Sequence, residues 1–330
     1  MSVLITGGAG YIGSHMAHHL LGGGERIVII DNLCTGVEKN MPPNAPFIKG
    51  DIADQALVAQ VIKDHGVDSV IHFAGSVVVP ESVEKPLDYY ANNTSGARNL
   101  IETCVRHGVA NFIFSSTAAV YGTPPVLPVS EDSPTAPESP YGRSKLMTEW
   151  VLKDTAAAHG LKFGILRYFN VAGADPEGRT GQSTPRATHL IKRACQVATG
   201  QAPQLTIFGT DYDTPDGTGV RDYIHVSDLV DIHQCVLGYL RKSGQSLLIN
   251  CGYGRGFSVR QVAATVERVS GQKIKIEEAP RRPGDMGSVV ADTAKLSRVL
   301  GWKPRHAELE TIVSTALAWE RRIKRELDAS

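Results

Sequence analysis

The residues best suited to proton transfer are Tyr141 and Lys145, which form the pattern Y-x-x-x-K at the start of a predicted helix. Side chains four residues apart lie on the same helix face, one turn from each other. A tyrosine with a pKa of about 10 is a poor base at neutral pH, but a nearby ammonium favours the phenolate. Tyr141 could therefore take a proton from an alcohol.

Small hydroxyl side chains follow the apolar run 112–114, namely Ser115, Ser116 and Thr117. We expect them at the carboxyl end of a strand, facing the same cleft as Tyr141. Thr117 is then able to bridge Tyr141 and a substrate oxygen. A lone Y-x-x-x-K pattern also occurs on ordinary helix surfaces. The prediction of a proton-transfer site therefore depends on these strand hydroxyls as well as on the helical pair.

A glycine-rich segment follows the first predicted strand and opens a helix, with Gly7, Gly10 and Gly13 in the spacing G-x-x-G-x-x-G. Such a tight turn lets backbone N–H groups and the positive end of the helix meet a pyrophosphate. The context of strand, turn and helix therefore predicts a dinucleotide site.

Acidic and small residues follow the next strands, at the edge of the sheet where ligands of open α/β folds bind. Asp31 ends the second strand about twenty positions after the glycines, where a carboxylate can accept hydrogen bonds from the adenosine ribose. No basic residue stands beside it for a 2′-phosphate, so NAD is favoured over NADP. Plausible adenine and ribose neighbours are Asn32, Asp51, Ile52, Phe73, Ala74 and Gly75.

Strand-like and helix-like segments alternate through the first part of the chain. The strands are expected at 3–5, 27–31, 46–48, 69–74 and 111–115, and helices at 12–22, 54–65 and 94–107. This rhythm predicts an α/β fold with a Rossmann-type, doubly wound parallel sheet. At 330 residues we expect a second, smaller C-terminal α/β lobe. We expect the dinucleotide-binding domain at residues 1–170, with return segments near 220–252. The smaller lobe is expected mainly at residues 171–330.

Composition excludes several classes of function. Lys+Arg and Asp+Glu balance at 34 each, so no overall basic field attracts nucleic acid or an anionic membrane. The five cysteines are scattered without a C-x-x-C pair, which argues against a metal site or a disulfide framework. The first apolar run is too short for a signal peptide or a membrane span. We expect a cytoplasmic protein with no metal.

On these residues the chain resembles the extended short-chain dehydrogenase/reductase family and, within it, the UDP-glucose 4-epimerases, over nearly its whole length. The segments that carry the resemblance are 7–15, 31–33, 72–75, 141–145, 167–170 and 216–225. The resemblance implies interconversion of UDP-glucose and UDP-galactose through a transient 4-keto sugar, with Tyr141 as base and acid. It also implies tightly held NAD, a C-terminal lobe that binds the UDP-sugar, and a homodimer packed through helices of the large domain.

The resemblance assigns residues position by position. Cofactor contacts are expected at Gly7, Gly10, Tyr11, Ile12, Asp31, Asn32, Asp51, Ile52, Phe73, Ala74, Asn93, Ser115, Tyr141, Lys145 and Tyr168. The glycine pattern adds Gly13, and the segment after the fourth strand adds Gly75. Substrate contacts are expected at Thr117, Tyr141, Asn170, His189, Leu190, Phe208, Arg221, Arg282, Asp285 and Val289. By their chemistry, the two arginines suit a diphosphate, Asp285 a ribose and Phe208 a uracil face.

Three positions depart from the family pattern. Val77 stands where many members have a cofactor-contacting lysine, so that contact is not expected here. Thr117 replaces the usual serine and keeps its hydroxyl. Val289 stands where some members carry a tyrosine beside the sugar pocket, which leaves UDP-N-acetylglucosamine open as a substrate, as UDP-glucuronate and UDP-pentoses also are.

Two rival functions share this fold. A nucleotide-sugar 4,6-dehydratase needs a further acid and base after the strand hydroxyl, but Ala118 and Ala119 stand there and cannot transfer protons. A non-catalytic NAD-binding scaffold is possible in principle because fold does not determine function. The intact set of Tyr141, Lys145 and Thr117 counts against it.

Overall fold

The short β-branched runs near the N-terminus form parallel strands, and helices connect them. The structure is a computed structural model of the 330-residue chain that describes residues 1–184, 187–282 and 286–329. Its strands are β1 (Ser2–Thr6), β2 (Ile27–Asp31), β3 (Phe47–Lys49), β4 (Val67–His72), β5 (Asn111–Thr117), β6 (Lys162–Tyr168), β7 (Asn170–Ala172), β8 (Leu205–Phe208), β9 (Val220–His225), β10 (Leu247–Cys251), β11 (Gly256–Ser258), β12 (Ile276–Ala279) and β13 (Ser288–Val289).

The helices pack on both faces of the large sheet and in the smaller lobe. They are α1 (Tyr11–Gly22), α2 (Gln55–His65), α3 (Val79–Glu84), α4 (Pro86–Tyr89), α5 (Ala97–Arg106), α6 (Pro140–His159), α7 (Leu190–Ala198), α8 (Val226–Ser243), α9 (Val259–Ser270), α10 (Ala294–Leu300) and α11 (Leu309–Asp328). Short 3₁₀ turns lie at Glu38–Asn40 and Ala118–Tyr121, and a π-helix at Tyr90–Gly96 joins α4 to α5.

The large sheet confirms the predicted doubly wound fold. Within the described residues it has seven parallel strands in the order β3-β2-β1-β4-β5-β6-β10. The strand order reverses between β1 and β4, and ligands of such sheets bind in the crevice outside the carboxyl ends at this point. The glycine loop after β1 and the segment after β4 both lie there.

Two apolar layers sandwich the large sheet because its buried strands point side chains to both faces. On β1, Val3 and Ile5 join the layer shared with α1 and α8, whereas Leu4 joins the layer shared with α2 and α5. All three side chains have no solvent exposure. Burial at this level contributes about 1.5–3 kcal/mol per side chain and holds the carboxyl edge rigid.

The smaller lobe lies after the sixth strand of the chain. There β7, β9, β11 and β13 form a second sheet, β8 pairs with β12, and α7, α9 and α11 pack around a separate apolar cluster. The chain returns to the large sheet through α8 and β10, which pairs with β6. The division at residue 170 stays a prediction.

The structure departs from the sequence expectations mainly at element ends. β5 continues to Thr117, two residues beyond its expected end, and the three hydroxyl residues form its carboxyl end as predicted. The helix expected at 94–107 begins as part of the π-helix and becomes α-helical at Ala97. Among the described residues, no helix combines the length and apolar character needed to cross a membrane. The described part of the chain also shows no group of three metal-ligating side chains.

Candidate active site

The glycine loop is built for the close approach of a phosphate. Gly7 has φ of 69°, and a Cβ there would lie 2.6 Å from the backbone nitrogen of Ala74. A Cβ at Gly13 would lie 2.2 Å from the carbonyl oxygen of Gly7. The N-cap of α1 is Gly10, which supplies no side-chain cap, so the first N–H groups of this helix point into the crevice. These features fit the pyrophosphate of a dinucleotide.

The Tyr11 side chain turns away from the crevice. Its phenol donates a hydrogen bond to the carbonyl oxygen of Gly173 at 2.7 Å, so it ties the glycine loop to the smaller lobe. Its neighbour Ile12 packs against the apolar layer under α1 and α8. Because both side chains are occupied elsewhere, Tyr11 and Ile12 can contact a phosphate only through their backbone N–H groups.

Asp31 binds backbone as well as facing the crevice edge. One carboxylate oxygen accepts from the backbone nitrogen of Ala9 at 3.0 Å and the other from that of Leu33 at 2.8 Å. Leu33 has φ of 61°, a strained value for a leucine. The carboxylate thus links the glycine loop to the turn after β2, and its remaining lone pairs are available to a ribose.

The other residues expected near adenosine follow β3 and β4. The exposed Asn32 amide donates to the exposed carboxylate of Asp51 at 3.0 Å, and Ile52 is buried beneath them. The backbone nitrogen of Ala74 donates to Thr6 Oγ1 at 3.4 Å, and the Phe73 ring lies 5.1 Å from the His233 ring.

Asn93 connects the β4 loop to α6. Its amide oxygen accepts from the backbone nitrogen of Ser76 at 2.7 Å, and its amide nitrogen donates to Ser144 Oγ at 3.1 Å. A Cβ at Gly75 would lie 2.9 Å from Asn93 Oδ1 and 3.5 Å from Lys145 Nζ. Asn93 therefore shapes the floor of the crevice beside Lys145.

Val77, at the position of the family's lysine, is half exposed.

The residues predicted to transfer protons meet where β5 ends and α6 begins. Ser139 caps α6 by accepting from Gly142, which places Tyr141 in the first turn. Burial raises the pKa of Tyr141, and the Thr117 hydroxyl beside the phenol lowers it. Thr117 Oγ1 also accepts from the backbone nitrogen of Ala119 at 3.1 Å, which fixes its position at the end of β5. The structure therefore brings the predicted hydroxyl pair together.

Lys145 is 3% exposed and lies one turn beyond Tyr141. Its ammonium donates to the carbonyl oxygen of Ser115 at 3.0 Å and lies 5.0 Å above the centre of the Phe114 ring. Burial lowers the pKa of Lys145 to about 8. This ammonium thus contacts a neutral carbonyl and an aromatic ring.

Tyr168 completes this cluster from the adjacent strand. Its phenol is hydrogen-bonded to Nε2 of the buried His233. Burial raises the pKa of Tyr168 well above its usual value, and the nearby Ser115 hydroxyl lowers it by a smaller amount. His233 Nδ1 lies 2.8 Å from the carbonyl oxygen of Leu229, so Nδ1 carries the proton and Nε2 accepts from Tyr168. His233 was not predicted from the sequence, because it belongs to no short-range motif.

The residues expected to bind substrate come mostly from the smaller lobe. Asn170 begins β7 and is exposed, and α7 begins at Leu190 with His189 as an N-cap that makes no side-chain capping bond. His189 and Tyr11 line one cavity of about 20 Å³.

The Phe208 ring is 37% exposed, with the Arg282 guanidinium 4.5 Å from its centre.

Arg221 and Val289 lie side by side on paired strands. The Arg221 guanidinium donates to the carbonyl oxygens of Val220, Met286 and Gly287 at 2.9, 2.7 and 3.3 Å. Val289 is buried in an apolar cluster with Ala118 and Phe169. Asp285 lies outside the described residues.

Comparison with known proteins gives the family. The sequence profile of the NAD dependent epimerase/dehydratase family matches residues 3–252. The chain belongs to this family. A UDP-glucose 4-epimerase of Azospirillum brasilense is 58% identical over 322 residues, covering 98% of this chain and 92% of the relative.

Solved structures of this family superpose on the chain over almost its full length. The UDP-glucose 4-epimerase from Bifidobacterium longum in complex with NAD⁺ and UDP is 38% identical, with a TM-score of 0.93 and coverage of 98% of each chain. The UDP-Glc/GlcNAc 4-epimerase from Campylobacter jejuni is 46% identical, with a TM-score of 0.84 and coverage of 97% of this chain and 99% of that one.

Proposed function

We propose that the chain interconverts UDP-glucose and UDP-galactose at C4, using NAD that is regenerated in each cycle. The observation that carries this proposal is the cluster of Thr117, Tyr141 and Lys145 beside a glycine loop shaped for pyrophosphate. Its relatives that are named UDP-glucose 4-epimerases support the same chemistry. When bound, NAD supplies the hydride acceptor and donor for the sugar carbon.

The protein's own groups move the proton. Tyr141 Oη takes the proton of the sugar 4-OH, and the Thr117 hydroxyl beside Tyr141 orients the sugar oxygen. Lys145 favours the phenolate by its positive charge. The product of this step is a 4-keto sugar, and Tyr141 returns the proton when hydride is delivered to the opposite face.

The uncapped start of α1 and the N-terminus of α7 are the proposed sites for the cofactor and substrate phosphates. Phe208 offers its exposed ring to the uracil, and the adjacent Arg282 supplies positive charge near the nucleotide. Arg221 meets the diphosphate only if it exchanges part of its backbone contacts, because three carbonyls hold it now.

The test is turnover without added cofactor. We expect the purified protein to carry nicotinamide and to convert UDP-galactose into UDP-glucose. The Tyr141→Phe variant should retain NAD and lose most turnover. Absence of UDP-glucose formation would favour the NAD-binding scaffold or another sugar, and a panel with UDP-glucuronate and UDP-pentoses would separate these.

UDP-N-acetylglucosamine is the second candidate substrate. Val289 is smaller than the tyrosine found in some members, and the named Campylobacter jejuni relative acts on both UDP-Glc and UDP-GlcNAc. Undetectable turnover of UDP-N-acetylglucosamine beside good turnover of UDP-glucose would remove this candidate.

We also propose a homodimer through the helices of the large domain. Exposed apolar side chains lie on the adjacent helices α4 and α6, at Leu87, Met147 and Trp150. A second copy covering them would remove apolar surface from water. Sedimentation of the Trp150→Glu variant as a monomer beside a dimeric unsubstituted protein would support this; a monomeric unsubstituted protein would reject it.

The cytoplasm is the proposed location. All five cysteines lie in the described residues and are free thiols, as a reducing compartment favours. Recovery of the protein from a membrane or extracellular fraction would contradict this.

A further inference from the structure

The helix face that carries Tyr141 and Lys145 carries a third buried group, Glu149. These residues are spaced by four, so each lies one turn beyond the last on α6. Glu149 has no solvent exposure. The proposed proton transfer does not use its carboxylate, so its presence in the interior needs another explanation.

Glu149 joins three elements of the large domain. Its Oε1 accepts from Ser116 Oγ at 2.6 Å and from Arg167 Nε at 2.9 Å, and its Oε2 accepts from Arg167 Nη2 at 2.7 Å. A two-point contact with a planar guanidinium fixes orientation as well as distance. The carboxylate therefore sets the rotation of α6 against β5 and β6.

Three successive residues of β5 meet this one face of α6. Ser115 accepts from Lys145 through its carbonyl oxygen, Ser116 donates to Glu149, and the Thr117 hydroxyl lies beside the Tyr141 phenol. The Ser116 contact lies between the two that do the chemistry. Because adjacent residues of a buried strand move together, a shift at Ser116 displaces the Thr117 hydroxyl.

Stability alone does not account for the Glu149 and Arg167 pair. Apolar side chains of similar volume often hold an interior at least as well as a buried ion pair, since the pair loses its hydration. An apolar contact, however, lets a helix slide and rotate over short distances. A hydrogen-bonded pair specifies one position.

We propose that Glu149 is a positioning residue, which acts through Ser116 to set the geometry between the Thr117 hydroxyl and the Tyr141 phenol. The proposal rests on the proposed epimerase function and deepens it. Its central perturbation is Ser116→Ala, which removes the link to β5 and leaves the Glu149 and Arg167 pair intact.

The holoenzyme test separates positioning from general stability. A displacement of about 1 Å at a reacting group can cost about a hundredfold in rate, and we expect about a tenfold fall in kcat for Ser116→Ala. The KM for UDP-galactose and the bound nicotinamide should not change. The matched control is Ser69→Ala, a buried serine of β4 that accepts from Asn111 at 3.2 Å near the opposite end of the sheet. It should lose similar stability and keep its kcat.

A double-mutant cycle tests the route of the effect. In a Thr117→Val background, Ser116→Ala should cause little further loss of kcat, because the hydroxyl that it positions is gone. A purely structural defect would multiply the two losses. If Ser116→Ala does not fold, Glu149→Asp takes its place, since it keeps the charge beside Arg167 and draws the carboxylate back from Ser116.

Three results would overturn the proposal: equal kcat losses in the two serine variants, multiplied losses in the cycle, or a raised KM with unchanged kcat. Failure of the proposed function has a different signature. In that case the unsubstituted protein makes no UDP-glucose from UDP-galactose, whatever the variants do.

Discussion

Lys145→Met should make the protein more stable at neutral pH while it removes most of its activity. Lys145 is buried, and burial lowers the pKa of its ammonium from 10.5 to about 8. At about 1.4 kcal/mol per pKa unit, the folded protein loses about 3 kcal/mol at neutral pH by holding this charge. The lost bond to Ser115 and the lost Phe114 contact offset about 1–2 kcal/mol of the gain. We expect a net stabilisation of about 1–2 kcal/mol.

The pH dependence follows from the sign of the shift. Below pH 8 the ammonium is charged in both the folded and unfolded chain, so the full cost of burial is present. Between pH 8 and 10.5 the unfolded chain binds the proton more strongly, and the stability of the unsubstituted protein rises with pH. The advantage of Lys145→Met should therefore vanish within this window, and above it the variant should be the less stable protein.

Urea unfolding at several pH values measures the difference, in protein freed of nicotinamide and followed by tryptophan fluorescence. Lys63→Met is the control, because Lys63 is an exposed lysine in the last turn of α2, away from the site. It should change stability by less than about 1 kcal/mol. For Lys145→Met we expect kcat to fall about a hundredfold or more. A variant less stable than the unsubstituted protein at every pH would refute the reasoning.

Three further substitutions test the site. Tyr141→Phe should lower kcat by about 10²–10⁴-fold with little change in KM, since only the proton carrier is lost; an active variant would exclude Tyr141 as the base. Gly13→Ala should abolish nicotinamide retention, because its Cβ would lie 2.2 Å from the Gly7 carbonyl oxygen; absorbance of the purified protein reports this. Phe208→Ala should raise KM about tenfold at constant kcat if the ring stacks on uracil; an unchanged KM would place the base elsewhere.

The fold follows from local patterns that the sequence displays directly. Val3 to Ile5 and 27–31 are apolar runs bounded by turn residues, and both are strands of the large sheet. The π-helix at Tyr90–Gly96 has no comparable signal, because it results from packing that turns Asn93 toward Ser76 and Ser144. Sequence spacing alone predicts an ordinary α-helix there.

Whether a site residue could be predicted depends on how far apart in the sequence its contacts lie. Thr117, Tyr141 and Lys145 were predicted because a strand end and a four-residue helical spacing bring them together. The backbone contacts of Arg221 with Met286 and Gly287 join residues more than sixty positions apart, and no local pattern reports them. Glu149 was within reach of the same spacing argument, since it stands four residues after Lys145, but its partner Arg167 depends on β6 lying beside β5.

The pairing of charges on α6 explains why Glu149 is bound to Arg167 rather than to Lys145. Within the described residues, the Lys145 ammonium contacts a carbonyl and a ring, so no carboxylate cancels its field. An unpaired carboxylate one turn further along would raise the pKa of Lys145 and weaken its effect on Tyr141. Arg167 binds Glu149 through two contacts, and Lys153 Nζ lies 3.9 Å from Glu149 Oε2. Glu149 can then fix the position of Ser116 without opposing the positive charge of Lys145. On this face of α6, Glu149 thus positions β5, whereas Lys145 supplies the positive charge that favours the phenolate.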